Sequence, residues 1–189
     1  MPTPIEVLVD FTRVLGDLNI PYVVVGSFAS SARGVRRATV DADIVAEVKV
    51  DHVKSIVDRL SNDYYIDGQA VRRAILSKRV FNAIHLESMF KVDVYVADDS
   101  FTKMEIERKL PEKILPGSND VVYIATAEDT VLAKLSRYRK GKEVSDRQWS
   151  DVLGIIKIQK ARLDYAYLRQ WSERLGVSDL LDKAIGDTL

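Results

Sequence analysis

The sequence predicts an α/β fold in which a mixed sheet occupies the front half and helices dominate the rear third. In residues 22–96, short apolar or alternating runs typical of strands are interspersed with apolar residues at helical spacing. Beyond residue 100 the spacing is mainly helical. The length of 189 residues suits one domain with a small helical appendage. We therefore expect a core at residues 1–125 and a helical region at 126–189 packed on it.

The front half begins with an amphipathic helix, since apolar residues recur at helical spacing over residues 5–19. Tyr22-Val23-Val24-Val25 then predicts a short buried strand that Gly26 ends, and Ser27 begins a short helix of small residues. Further along, the pattern predicts a strand at 42–48 and helices at 51–60 and 68–78.

Two strands, at residues 80–86 and 90–96, are predicted to pair antiparallel across a short turn. The second alternates, with valines on one face and Lys91, Asp93 and Tyr95 on the other. In the rear part, Thr126 resembles a helix N-cap with an acidic third position. Helices are predicted after it and at 146–158, 164–175 and 177–186.

Composition excludes several kinds of site. Cysteine is absent and there are only two histidines, which argues against thiolate, disulfide and multi-histidine zinc sites. The remaining ligands are carboxylates, which favour hard ions such as Mg²⁺ or Mn²⁺. Basic and acidic residues both number 28, so no global positive field favours long nucleic acid. Without a signal peptide or a membrane-length apolar run, we expect a cytoplasmic protein that binds no membrane.

Three aspartates have a spacing that indicates metal chemistry. Asp41 and Asp43 stand at i and i+2, which on an extended backbone places both carboxylates on one face. Two such carboxylates repel one another unless a cation lies between them. Asp93 lies in the middle of an apolar strand, where a lone carboxylate is costly to bury. If the strands are neighbours, all three converge on one or two divalent ions.

Gly26-Ser27 supplies the complementary feature, a candidate phosphate site. A glycine at a strand end lets the backbone approach a phosphate closely. The helix that follows presents free N–H groups and the positive end of its dipole, both of which favour an anion. The Ser27 hydroxyl adds one more donor.

The order of these features resembles the polymerase-β-like nucleotidyltransferase superfamily. The chain has a strand, then Gly26-Ser27, a short helix, Thr39-x-Asp41-x-Asp43 and finally an apolar strand around Asp93. Within this superfamily, the sequence is similar to the bacterial branch of AbiEii-type toxins of type IV toxin–antitoxin systems. That narrower resemblance rests on these further motifs: Arg37-x-Thr39, Phe81-Asn82-Ala83-Ile84-His85, Lys91-Val92-Asp93, the segment around Lys134, and Asp146-Arg147-Gln148 up to Asp151. Gln148 stands where that branch commonly has an aspartate.

The resemblance implies a mixed sheet core flanked by helices and transfer of a nucleoside monophosphate from a nucleoside triphosphate (NTP). It assigns Asp41 and Asp43 to the metals and the NTP. Asp93 would hold the second metal and promote deprotonation of the acceptor hydroxyl. Gly26 and Ser27 would contact the β- and γ-phosphates.

The same resemblance extends the site to basic and rear residues. Arg37 would contact phosphate, Lys134 would neutralise triphosphate charge, and Asp151 would orient Lys134 or the acceptor. Candidate acceptors are RNA 3′ ends such as tRNA, protein hydroxyls and small molecules, and a cognate antitoxin is an implied partner.

Each of these signals has a plainer interpretation. An Asp-x-Asp pair can be a solvated turn, the Arg36-Arg37 turn can pair with nearby acids, and Lys134 can be a solvated helix lysine. Asp151 can pair with Arg147 at i−4. Two alternative functions also stay open: a catalytically idle nucleotide- or partner-binding module, and an Asp-x-Asp phosphohydrolase. A phosphohydrolase of this kind requires an apolar strand directly before its first aspartate, whereas in this sequence the apolar run follows Asp41.

Overall fold

The computed structural model describes residues 1–34 and 39–188, and these contain a seven-stranded mixed sheet and nine α-helices. The described chain divides into two compact units. The first comprises Met1–Phe28 and Ala38–Ala125, and the second comprises Ala29–Arg37 and Thr126–Leu189. The predicted division into a core at 1–125 and a helical region at 126–189 stays a prediction.

The first unit carries the sheet, whose strand order is β3-β4-β5-β2-β1-β7-β6. The strands are β1 (Tyr22–Val25), β2 (Asp41–Ala46), β3 (Tyr64–Tyr65), β4 (Val80–His85), β5 (Lys91–Val96), β6 (Leu110–Glu112) and β7 (Val122–Ile124). β2 pairs parallel with β5 and antiparallel with β1, and β4 pairs antiparallel with β5. The mixed sheet and the antiparallel β4–β5 pair confirm the expectation from the sequence.

One face of the central strands is apolar and builds the core. Ala42, Ile44, Val92 and Val94 are fully buried. Their positions alternate with Asp41, Asp43, Lys91 and Asp93, which therefore share the opposite face of β2 and β5. The pleat thus separates a packed face from a charged one.

The helices of this unit start at side-chain caps. Thr3 and Glu6 form a capping box on α1, and Asp67 and Asp99 accept backbone N–H groups at the starts of α4 and α5. The helices are α1 (Pro4–Asp17), the start of α2 (Gly26–Arg33), α3 (Val53–Leu60), α4 (Gly68–Ser77) and α5 (Ser100–Arg108).

Two strands close the sheet where the sequence pattern predicted mainly helix. β7 pairs parallel with β1 through Val24 and Ile124, and β6 pairs antiparallel with β7. Each is only three residues long, which is too short for a period to be recognised. Pro111 on β6 is compatible with an edge strand, because proline has no N–H to donate to a neighbour.

The second unit is helical: α6 packs against α7 and α8, and α9 packs against α7 and α8. Its helices are the end of α2, α6 (Ala127–Lys140), α7 (Asp146–Gln159), α8 (Tyr165–Leu175) and α9 (Ser178–Gly186). Thr126 caps α6 by accepting the backbone N–H of Asp129, as its sequence pattern predicted. Among the described helices, none has both the length and the apolar character needed to cross a bilayer.

Candidate active site

Parallel pairing of β2 and β5 sets the geometry of the acidic residues. Asp43 and Asp93 are direct register partners, so their side chains are lateral neighbours on one face of the sheet. Asp41 lies two residues before Asp43 on the same face, opposite Lys91. Asp93 is 9% exposed, and Asp41 and Asp43 are partly exposed. The structure therefore brings the three predicted aspartates to one face of two adjacent strands.

Asp43 also stands directly against the start of α2. Gly26 is the first residue of that helix, not the end of the preceding strand, and it has a φ of +63°. A Cβ added to Gly26 would overlap Asp43 Oδ2 and lie 2.8 Å from Asp43 Cγ. Only glycine suits this position, because any larger residue would be strained in this conformation and would push the Asp43 carboxylate aside.

The helix that begins at Gly26 is the place where the sequence predicted a phosphate site. Its first turn contains no acidic residue, and Arg33 lies in its last turn. A carboxylate from another element, that of Asp43 on β2, lies against this positive end of the helix dipole. Ser27, its second residue, is buried.

Lys91 is a basic residue of the acidic face for which the sequence pattern indicated no role of its own. Its Nζ donates a hydrogen bond to Asp93 Oδ2 at 2.6 Å. This bond, with the charges of Asp93 and Asp41, raises the pKa of Lys91. The signal in the sequence was its i, i+2 spacing from Asp93, which places both side chains on one face of a strand.

Asn82 is a second residue of this face that sequence reasoning left without a role. It is the register partner of Asp93 on β4 and is exposed. The row across the sheet therefore runs from Asn82 through Asp93 to Asp43. An amide beside the carboxylates adds an uncharged oxygen and two N–H donors to the same face.

The three carboxylates on this face suit a hard divalent ion, because such ions prefer oxygen ligands. Within residues 1–34 and 39–188, however, no three metal-ligating side chains are grouped closely enough to hold one ion. The sequence predicted that the three aspartates converge on one or two ions, and a grouping of all three around a single ion is not seen in this part of the chain. The carboxylates share a face, with Lys91 placed against Asp93.

Lys134 and Asp151 meet in the second unit as a buried ion pair. Lys134 Nζ donates to Asp151 Oδ2 at 2.7 Å, and each side chain is only 5% exposed. Gln148 Oε1 lies 3.5 Å from the same Nζ. Lys134 is therefore not the solvated helix lysine of the plainer interpretation, and its partner on α7 is Asp151. Arg37 lies outside the described residues.

Comparison with known proteins shows the fold. No protein-family model matches the chain, and a search of curated proteins finds no match. Among solved structures, the chain is similar to an antigenic nucleotidyltransferase-like protein from Paracoccidioides brasiliensis, with 14% identity over 95% of this chain and 90% of that one and a TM-score of 0.55. It is also similar to ANT(2″)-Ia in complex with adenylyl-2″-tobramycin, with 13% identity, 92% and 97% coverage and a TM-score of 0.56.

A solution structure of the antibiotic-resistance factor ANT(2″)-Ia is a further neighbour, at 12% identity, 94% and 90% coverage and a TM-score of 0.52. At these identities the likeness concerns the fold alone. The chain has the nucleotidyltransferase fold that its sequence predicted.

Proposed function

We propose that this chain is a metal-dependent nucleotidyltransferase that transfers a nucleoside monophosphate from an NTP to an acceptor hydroxyl. The observation that carries the proposal is the pairing of Asp43 with Asp93 on parallel β2 and β5, with the Asp43 carboxylate against Gly26. A carboxylate pair beside the start of a helix offers a place for a cation next to a place for phosphate.

Asp41, Asp43 and Asp93 are the residues that would hold the ions, Mg²⁺ or Mn²⁺. When bound, such an ion neutralises triphosphate and pyrophosphate charge and lowers the pKa of the attacking hydroxyl. The backbone N–H groups at the start of α2 would donate to phosphate oxygens, which Gly26 allows to come close because it has no side chain.

In the proposed reaction, the acceptor oxygen forms a bond to the α-phosphorus as the bond from that phosphorus to pyrophosphate breaks. Asp93 would accept the proton of the acceptor hydroxyl. Catalysis then depends on positioning the two reactants in line and on matching charge that develops on the phosphate oxygens. The roles that the resemblance gives to Ser27, Arg37, Lys134 and Asp151 stay predictions.

For the acceptor, the net charge of zero favours a small molecule or the end of a tRNA over long nucleic acid. The neighbour solved with adenylyl-2″-tobramycin makes an aminoglycoside a reasonable first acceptor to assay. Membership of the AbiEii-type branch, and with it a toxin role and an antitoxin partner, is the finer part of the proposal. Growth arrest on expression, lost in Asp43→Asn, would support that part.

The test is transfer of label from each common NTP, radiolabelled at the α-phosphate, with Mg²⁺ and either tRNA, aminoglycosides or cell extract. We expect labelling by the wild type and its loss in Asp43→Asn. Asp58→Asn is the matched control, because Asp58 is an exposed aspartate that pairs with Lys54. If no acceptor is labelled and calorimetry detects no NTP binding, the proposal is wrong.

One observation favours the second candidate, a module that binds nucleotide or a partner without turnover. Lys91 already neutralises Asp93, so this carboxylate does not depend on a metal to be stable in the fold. An idle module would keep its cellular effect when Asp41 and Asp43 are replaced by alanine. Loss of that effect in the same variants would favour the enzyme.

A further inference from the structure

Lys91 and the three aspartates form one charged group on the sheet. Lys91 is the register partner of Asp41 on the neighbouring strand, and its ammonium is bonded to Asp93. β2, β4 and β5 are described in full, and Lys91 is the only lysine or arginine in them. On these strands it is therefore the only permanent positive charge beside three negative ones.

The ammonium is bonded to one carboxylate oxygen of Asp93, a predicted metal ligand. Asp93 Oδ2 accepts from Lys91 Nζ at 2.6 Å, and a metal ligated by this oxygen would have to share or displace that contact. The Asp93 side chain is 13% exposed and the Lys91 side chain is 40% exposed. The lysine thus has solvent into which it can move, whereas the carboxylate has little freedom.

We propose that Lys91 is a built-in counter-cation that competes with divalent metal for Asp93 and thereby keeps the affinity for free metal low. This inference rests on the proposed function, because it concerns the same carboxylates. Lys91 acts through Asp93 and is therefore a positioning residue. It keeps the like-charged aspartates stable on the sheet before a metal binds.

The test is direct binding of Mn²⁺ alone, without nucleotide, by titration calorimetry and by electron paramagnetic resonance of free Mn²⁺ at low ionic strength. In Lys91→Gln the affinity should rise about tenfold, because a fixed positive charge beside the ion has been removed. Lys91→Arg, which keeps the charge, should bind like the wild type. Lys54→Gln is the control for loss of an exposed lysine from an ion pair with an aspartate.

A purely structural role for Lys91 gives the opposite result, since damage to the strand would weaken Mn²⁺ binding. Circular dichroism and urea unfolding of each variant would show that the fold is kept. Suppose that the wild type binds Mn²⁺, that Asp43→Asn abolishes this binding, and that Lys91→Gln binds Mn²⁺ equally or more weakly than the wild type. This result would overturn the inference about Lys91 and leave the proposed function standing. Absence of Mn²⁺ binding in both the wild type and Lys91→Gln, with or without NTP, would overturn both.

Discussion

Replacing Gly26 by alanine would test whether the close packing of the Asp43 carboxylate against the start of α2 requires glycine at this position. Two separate effects are expected from this methyl group. Gly26 has a φ of +63°, a conformation in which an L-residue is strained by about 1–2 kcal/mol. The added Cβ would also overlap Asp43 Oδ2 and stand 3.0 Å from Asp43 Cβ, so the carboxylate must turn away.

The two effects together should lower the free energy of unfolding by about 2–5 kcal/mol, because overpacking adds about 1–3 kcal/mol to the backbone strain. Gly176→Ala isolates the strain, because Gly176 has a φ of +67° and a Cβ added there would have nothing within 4 Å. That control should lose only about 1–2 kcal/mol. The difference between the two variants in lost free energy of unfolding measures the crowding of the new methyl group against Asp43.

Urea unfolding of Gly26→Ala, Asp43→Ala and the double variant completes the measurement as a double-mutant cycle. Removing the carboxylate should relieve the crowding, giving a coupling free energy of about 1–2 kcal/mol. Nucleotide transfer by Gly26→Ala should fall at least about a hundredfold, because small displacements of positioning groups have large kinetic effects. If Gly26→Ala loses no more stability than Gly176→Ala and shows no coupling to Asp43, the packing argument is refuted.

Two further variants probe charge pairs away from the acidic face. Lys134→Met should lower the free energy of unfolding by about 3–5 kcal/mol, because it removes the buried ammonium that donates to the buried Asp151 carboxylate. Lys134→Met combined with Asp151→Leu should recover most of this loss, and a loss below about 1 kcal/mol for Lys134→Met in urea unfolding would contradict the prediction. The hydrogen bond from Arg13 lowers the pKa of Asp120. The ionised carboxylate therefore stabilises the fold fully above its usual pKa of 3.8, and this stabilisation is lost as the pH falls through the lowered pKa. The difference in free energy of unfolding between the wild type and Asp120→Asn should therefore become smaller as the pH falls into the acid range. A difference that becomes larger in acid would contradict this prediction.

The alternation of residues was enough to predict the charged face of the sheet. On an extended chain, i and i+2 share a face, so Asp41 with Asp43, and Lys91 with Asp93, followed from the sequence once the strands were recognised. The spacing alone does not predict that β2 and β5 are neighbours. Their parallel pairing joins residues that are fifty positions apart in the chain, such as Asp43 and Asp93, and local spacing contains no information on such contacts.

Short strands and pairs of side chains on different helices could not be predicted. β6 and β7 have three residues each, and β7 joins the sheet by a single register pair with distant β1. The spacing of Asp151 allowed an intrahelical partner, Arg147. The structure pairs Asp151 with Lys134, because α6 packs against α7 and brings the two side chains together in a buried position.

The most direct test of a metal-dependent transferase is a crystal grown with Mn²⁺ and a non-hydrolysable NTP analogue, measured at a wavelength where manganese scatters anomalously. We expect an anomalous peak at coordination distance from both Asp43 and Asp93, with the triphosphate against Gly26. Lys91 should have left Asp93 in that crystal. A nucleotide bound elsewhere, or no manganese peak at these carboxylates, would contradict the proposed site.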